Sequence, residues 1–122
     1  MTKIQFAFVT LLSAVAAQNL SAVDLKVIND TGSPVNVFVR GRDASTFYLE
    51  TVPQNTTHHV AVSSEKLENK PIFEVISAKN DTNIPDWKLL SGTCFNLDST
   101  KDHTILIENS TLGIATSCKI VE

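Results

Sequence analysis

The chain is poor in the residues on which most catalytic and nucleic-acid-binding folds depend. It has two cysteines, four glycines, three histidines and one tryptophan in 122 residues. No Gly-x-Ser-x-Gly stretch supplies a nucleophile elbow, and no glycine-rich loop stands ready to cradle a phosphate. Ten basic residues face thirteen acidic ones, a formal net charge of −3, so no basic field invites nucleic acid. No segment approaches the roughly 20 apolar residues that span a bilayer. The acidic balance and the lack of a basic amphipathic helix also argue against a membrane-active protein. Two cysteines are too few for a disulfide-dense scaffold, which leaves the core to carry most of the stability. Repeats, low-complexity tracts and linkers are absent, and one domain is expected over residues 18–122.

The histidines point to no metal centre. His58 and His59 are neighbours on a strand-like run and face opposite ways, so they cannot ligate one ion together. His103 with Asp102 or Glu108 matches no ligand spacing. No metal or cofactor is expected. The alternative to a binding role is a small secreted hydrolase or metal-dependent enzyme using His58 or His103.

What the chain does have is a pair of cysteines enclosing a strand-like run. Cys94 and Cys118 bracket residues 103–109 (His-Thr-Ile-Leu-Ile-Glu-Asn). Were the two cysteine strands to flank that run in one flat sheet, their Cα atoms would lie roughly 9–10 Å apart. A disulfide tolerates about 4.4–6.8 Å. The cysteine strands therefore either pair directly or belong to two packed sheets, and the second arrangement is preferred. Cys118 is in phase with Ile114 and Ile120, which places it on an inward face.

Residues 1–17 have the form of a secretory signal peptide: Lys3, an apolar stretch from Ile4 to Leu12, then small residues at 14–17. Export is consistent with an oxidised cysteine pair. Five Asn-x-Ser/Thr sequons, at Asn19, Asn29, Asn55, Asn80 and Asn109, suggest a glycoprotein in a eukaryotic host. The last four are the candidate glycosylation sites; asparagine and threonine also gather at β turns, so the motif has a structural reading as well.

Alternation and turn residues predict eight short strands. They fall near 24–29, 35–40, 46–52, 57–63, 71–77, 87–97, 104–109 and 114–121. Val35, Val37 and Val39 alternate with Asn36, Phe38 and Arg40, and Gly32 with Pro34 suggests a hairpin joining the first two strands. Residues 64–69 are the one plausible helical turn, and Gly92 is read as a possible bulge. With no sustained 3.6-residue period, the fold expected is a small antiparallel β-sandwich, immunoglobulin-like or Greek-key, with a small β-barrel as the alternative. Leader, strand number and single disulfide resemble those of many small exported β-sandwiches and assign the chain to no one family.

Among polar clusters Arg40-Gly-Arg-Asp43 is the most distinctive, because two arginines at a strand end offer forks to a carboxylate, sulfate or phosphate. Its bland alternative is a solvated turn in which Arg40 or Arg42 pairs with Asp43. Phe38, Tyr48 and Trp87 are the aromatics whose exposure would make a recognition patch. Arg40, Arg42 and Trp87 are thus the candidate binding residues. The function expected is that of a secreted or periplasmic non-enzymatic binding protein, effector-like, acting on an extracellular protein or carbohydrate surface.

Overall fold

Strand formation follows the alternation where it is cleanest. A computed structural model describes residues 22–80, 91–111 and 115–121. It contains eight strands: β1 (Ala22–Asp30), β2 (Val35–Gly41), β3 (Tyr48–Val52), β4 (Thr57–Ser63), β5 (Ile72–Lys79), β6 (Gly92–Asp98), β7 (His103–Asn109) and β8 (Thr116–Ile120). No helix occurs among the described residues; the 64–69 segment is a run of turns. Trp87 and Asn19, together with residues 1–17 expected to form a leader, lie outside the described residues.

Two four-stranded sheets, in the orders β4-β1-β7-β8 and β3-β2-β5-β6, face each other without closing into a barrel. All pairs are antiparallel except β1 with β7, which run parallel with Leu25 opposite His103. In β2 the valines at 35, 37 and 39 are fully buried while Asn36, Phe38 and Arg40 turn outward. Leu25 and Val27 of β1, Val60 and Val62 of β4, Phe73 and Val75 of β5, and Ile105 and Ile107 of β7 complete the interlayer core. Each such side chain contributes about 1.5–3 kcal/mol relative to exposure.

The expected β1–β2 hairpin does not form. Residues 31–34 instead carry the chain from one sheet to the other, and β1 pairs with β4 and β7. Asn29 makes that crossing. Its side-chain amide donates to the carbonyls of Ser33 at 2.8 Å and of Val52 and Pro53 at 3.1 Å, and its Oδ1 accepts from the Thr31 amide and hydroxyl. One buried asparagine thus closes an end of the sandwich.

The 64–69 turns matter more than their length suggests, because Leu67 is fully buried in the core cluster. Above it, a Cβ on Gly41 would fall on the Leu67 carbonyl, so the end of β2 tolerates only glycine there. The bulge also differs from expectation. Phe73 pairs with Leu97 and Val75 with Cys94, which sets Phe95 and Asn96 of β6 against the single residue Glu74 of β5. Asn96 takes up the extra residue at φ 60°, a conformation asparagine adopts more readily than most. Gly92 serves instead as a point of close approach. A Cβ there would lie 2.7 Å from Cys118 N, so its absence lets β6 come up against β8.

Cys94 and Cys118 form a disulfide with a Cα–Cα distance of 5.4 Å. It joins the edge strands of the two sheets, the preferred of the two arrangements that the distance argument allowed, along one open side of the sandwich. Beside it Thr116 Oγ1 donates to the Ser77 carbonyl at 2.9 Å and accepts from Ser77 Oγ at 2.9 Å. Ile120 shares the face of Ile105 but lies at the rim, 41% exposed. The opposite open side is held by a weaker link, His58 Nε2 to Glu50 Oε2 at 3.7 Å.

Candidate interaction face

The two outer faces of the sandwich differ in chemistry. Asp24, Lys26, His59, Thr104, Glu108 and Lys119 face outward from the β4-β1-β7-β8 sheet, with His59 Nδ1 2.8 Å from Asp24 Oδ2. Ile28 and Leu106 also stand outward there, opposite one another and half-buried, whereas the β3-β2-β5-β6 sheet presents more exposed apolar groups. Phe38 sits between Leu49 and Ile76 in register, and Phe95 projects from the bulge of β6. Leu49 is 52% exposed, Phe95 60% and Phe47 45%. Large side chains that exposed, gathered on one sheet, mark an interaction surface more often than a solvated one.

Arg40 organises this face. It stands opposite Glu74 on β5, and its Nη2 lies 3.3 Å from Glu74 Oε2. The guanidinium also lies 4.7 Å from the centroid of Phe47, whose ring meets Phe38 edge-on at 6.4 Å. Neither Arg40 nor Arg42 pairs with Asp43: Arg40 is taken by Glu74, while Arg42 and Asp43 lie exposed in the turn. Glu74 is a shielded partner rather than a free carboxylate, its side chain 15% exposed.

Phe47 owes its position to a residue outside the sheet. Glu68 Oε2 accepts hydrogen bonds from the amides and hydroxyls of both Ser45 and Thr46, at 2.8–3.1 Å. Those donors, the Thr46 hydroxyl foremost, hold the Glu68 carboxyl below the ordinary glutamate range. The 42–47 loop is thereby tied to the 64–69 turns. On the inward side of β3, burial pushes the Tyr48 phenol far up, reinforced by Glu50, while Lys66 lies over its ring.

The face ends in a cleft of about 320 Å³, lined by Arg42 and Asp43 from the β2–β3 turn, Ile72 and Glu74 from β5, and Phe95 and Asn96 from β6. The structure thus brings Arg42 to a cavity and leaves Arg40 engaged beside it. Phe47, Leu49, Glu68 and Phe95 were not singled out by the sequence pattern; an asparagine after a phenylalanine within a strand was the available signal for the last.

Comparison with known proteins adds a fold and no family. No protein-family model matches the chain, and no curated protein matches it. Among solved structures it is similar to a protein from Eubacterium rectale determined by NMR, at 15% identity over 83% of this chain and 89% of that one, with a TM-score of 0.53. It also aligns with listeriolysin O at 12% identity, covering 84% of this chain but 23% of that one, with a TM-score of 0.44. The first likeness is one of fold; the second carries no argument.

The histidines are committed to local contacts. His58 meets Glu50, His59 meets Asp24, and His103 is buried with Nε2 2.8 Å from the Asp98 carbonyl and its ring edge-on to Phe73. Among the described residues no three His, Cys, Asp or Glu side chains are grouped to hold a metal ion. Nor is any helix there long and apolar enough to cross a membrane.

The four sequons at hand are not equivalent. Asn29 is 1% exposed with its amide spent on three carbonyls, so a glycan there is incompatible with this fold. Asn109 is exposed but donates its amide to the Thr31 carbonyl at 3.0 Å. Asn55, at a turn with φ 53°, and Asn80, whose oxygen accepts from Asn36, keep their amide nitrogens open.

Proposed function

We propose that the protein is a secreted or periplasmic non-enzymatic binding protein that docks an extracellular protein partner on the outer face of the β3-β2-β5-β6 sheet. The observation that carries this is the exposure of Phe47, Leu49 and Phe95 on the sheet that also holds the Arg40–Glu74 pair. Apolar anchors around a partly desolvated ion pair are the usual composition of a protein-binding centre. Phenylalanine and leucine at these positions favour a protein over a carbohydrate surface. The disulfide and the leader-like residues 1–17 support an oxidising compartment outside the cytoplasm.

The test compares fluorescently labelled protein with Leu49→Ser and Phe47→Ser variants for binding to the extracellular fraction it meets in its own habitat. Both variants replace exposed groups and should melt within a few degrees of the parent. Binding at least about tenfold weaker in each, surviving periodate treatment of surface glycans, is the expected result. Full binding by both variants would remove the face, and loss on periodate treatment would transfer the partner to a glycan.

A further inference from the structure

The cleft at the end of this face has a more specific chemistry than the apolar surface leading to it. Arg42, Asp43 and Asn96 line it, and the side chains of all three make no hydrogen bond or ion pair with the described residues. Nearby polar groups are mostly engaged, Arg40 Nη2 with Glu74, Asn36 with Thr51 and Asn80, and Glu68 with residues 45–46, while Arg40 Nε and the Tyr48 hydroxyl are buried without a partner. Arg42, Asp43 and Asn96 differ from those two in being exposed, so their polar groups are open to a ligand entering the cleft.

Two of those residues also hold backbone conformations that L-residues seldom adopt. Asp43 sits at φ 61° on one wall and Asn96 at φ 60° on the other. The first follows from the turn that Ala44 N closes on Gly41 O, and the second from the bulge. The cleft between them is also lined by Arg42 and by Glu74, whose charge Arg40 balances, with Phe95 and Ile72 supplying apolar contact.

A ligand that satisfies this set needs a carboxylate for the Arg42 fork, a donor beside it for Asp43 or Asn96, and an apolar group for Phe95. A peptide ending in an apolar residue carries all three within one residue: its terminal carboxylate, its last N–H and its side chain. The cleft volume accommodates one or two such residues. We infer that the cleft between the β2–β3 turn and the β6 bulge receives the C-terminal end of a peptide with an apolar last residue. This rests on the protein-binding reading of the adjoining sheet and names the part of the partner that enters.

The experiment is a titration of isotope-labelled protein, followed by NMR, with acetyl-alanyl-phenylalanine, the same dipeptide as its C-terminal amide, and phenylacetate. The free acid should give saturable shifts centred on residues 42–43 and 95–96. The amide should bind at least about tenfold more weakly, since it forfeits the charge-assisted pair with Arg42. Arg42→Ala should weaken the free acid by a similar factor at unchanged melting temperature, and Arg42→Lys should fall between, supplying charge without the fork. Equal binding of acid and amide, no saturable shift, or an indifferent Arg42→Ala variant would overturn the inference. Phenylacetate binding as tightly as the dipeptide acid would also overturn it, by assigning the cleft to small free acids. Failure here with Leu49→Ser and Phe47→Ser still deficient in partner binding would remove the C-terminus and leave the docking face standing.

Discussion

Glu68 Oε2 accepts hydrogen bonds from both the amide and the hydroxyl of Thr46, at 3.0 and 2.8 Å. With the matching pair from Ser45, a single carboxylate oxygen organises the loop that delivers Phe47 to the outer sheet face. Replacing Glu68 by glutamine removes the charge that strengthens these bonds and turns half the group into a donor. Faster amide exchange at Ser45 and Thr46 is expected, with the melting temperature little changed because the carboxylate is exposed.

The same latch is acid-sensitive. The Glu68 carboxyl titrates below its ordinary value of 4.5 in the folded protein, so its contribution is complete above 4.5 and is lost as pH falls through the lower folded value. The Thr46 amide resonance should therefore move with a midpoint below 4.5. A midpoint at or above that value would contradict the arrangement.

Breaking the Cys94–Cys118 bond removes the disulfide cross-link between the sheets. On the chain-entropy model the loop it closes is worth about 3–4 kcal/mol, a large part of a small domain's stability. Denaturant unfolding of a Cys94→Ala/Cys118→Ala variant should show that loss, with amide protection falling first in β6 and β8.

Gly92→Ala tests the close approach that accompanies the bond. Its Cβ would meet backbone atoms of Ser117 and Cys118 at 2.7 Å, which no side-chain rotation relieves. A cost of about 1–3 kcal/mol is expected with the disulfide intact and a smaller one after reduction, when β8 is free to shift. Equal costs in the two states would mean that the disulfide does not set the β6–β8 spacing.

Asn29 offers a further check. An Asn29→Asp variant keeps the shape but loses every donor, leaving three carbonyls at the β1–β2 crossing short of their partner. A loss of roughly 2–4 kcal/mol is expected by thermal or denaturant melting. Peptide mapping of protein made in a glycosylating host should find Asn29 unmodified and place any glycan at Asn55 or Asn80.

Much of the strand layout was legible because alternation is local. β4 occupies residues 57–63 as expected, and Val35, Val37 and Val39 face the core. What alternation does not carry is the partner. Gly32 and Pro34 announce a change of direction without saying whether the chain turns back onto its own sheet or crosses to the other, and Asn29, which makes the crossing, reads in sequence as a sequon. The site divides in the same way. Arg42 stands out in sequence because two arginines flank a glycine, whereas Glu74, which claims Arg40, is 34 positions away. Phe95 reads as an ordinary strand residue until the left-handed Asn96 lifts it from the ladder.

The parallel pairing of β1 with β7 sets the order in which this molecule becomes itself. β1 lies inside its sheet, flanked by β4 on one side and β7 on the other, and Leu25 waits for His103. A growing chain that has emerged as far as β4 has one flank of β1 covered, and neither the second flank nor Cys118 yet exists. Contacts so distant in sequence place the domain among slow folders, in the millisecond-to-second range of all-β topologies. β7 and β8 complete the first sheet and supply the thiol that locks it to the second, so the sandwich cannot close until both have emerged.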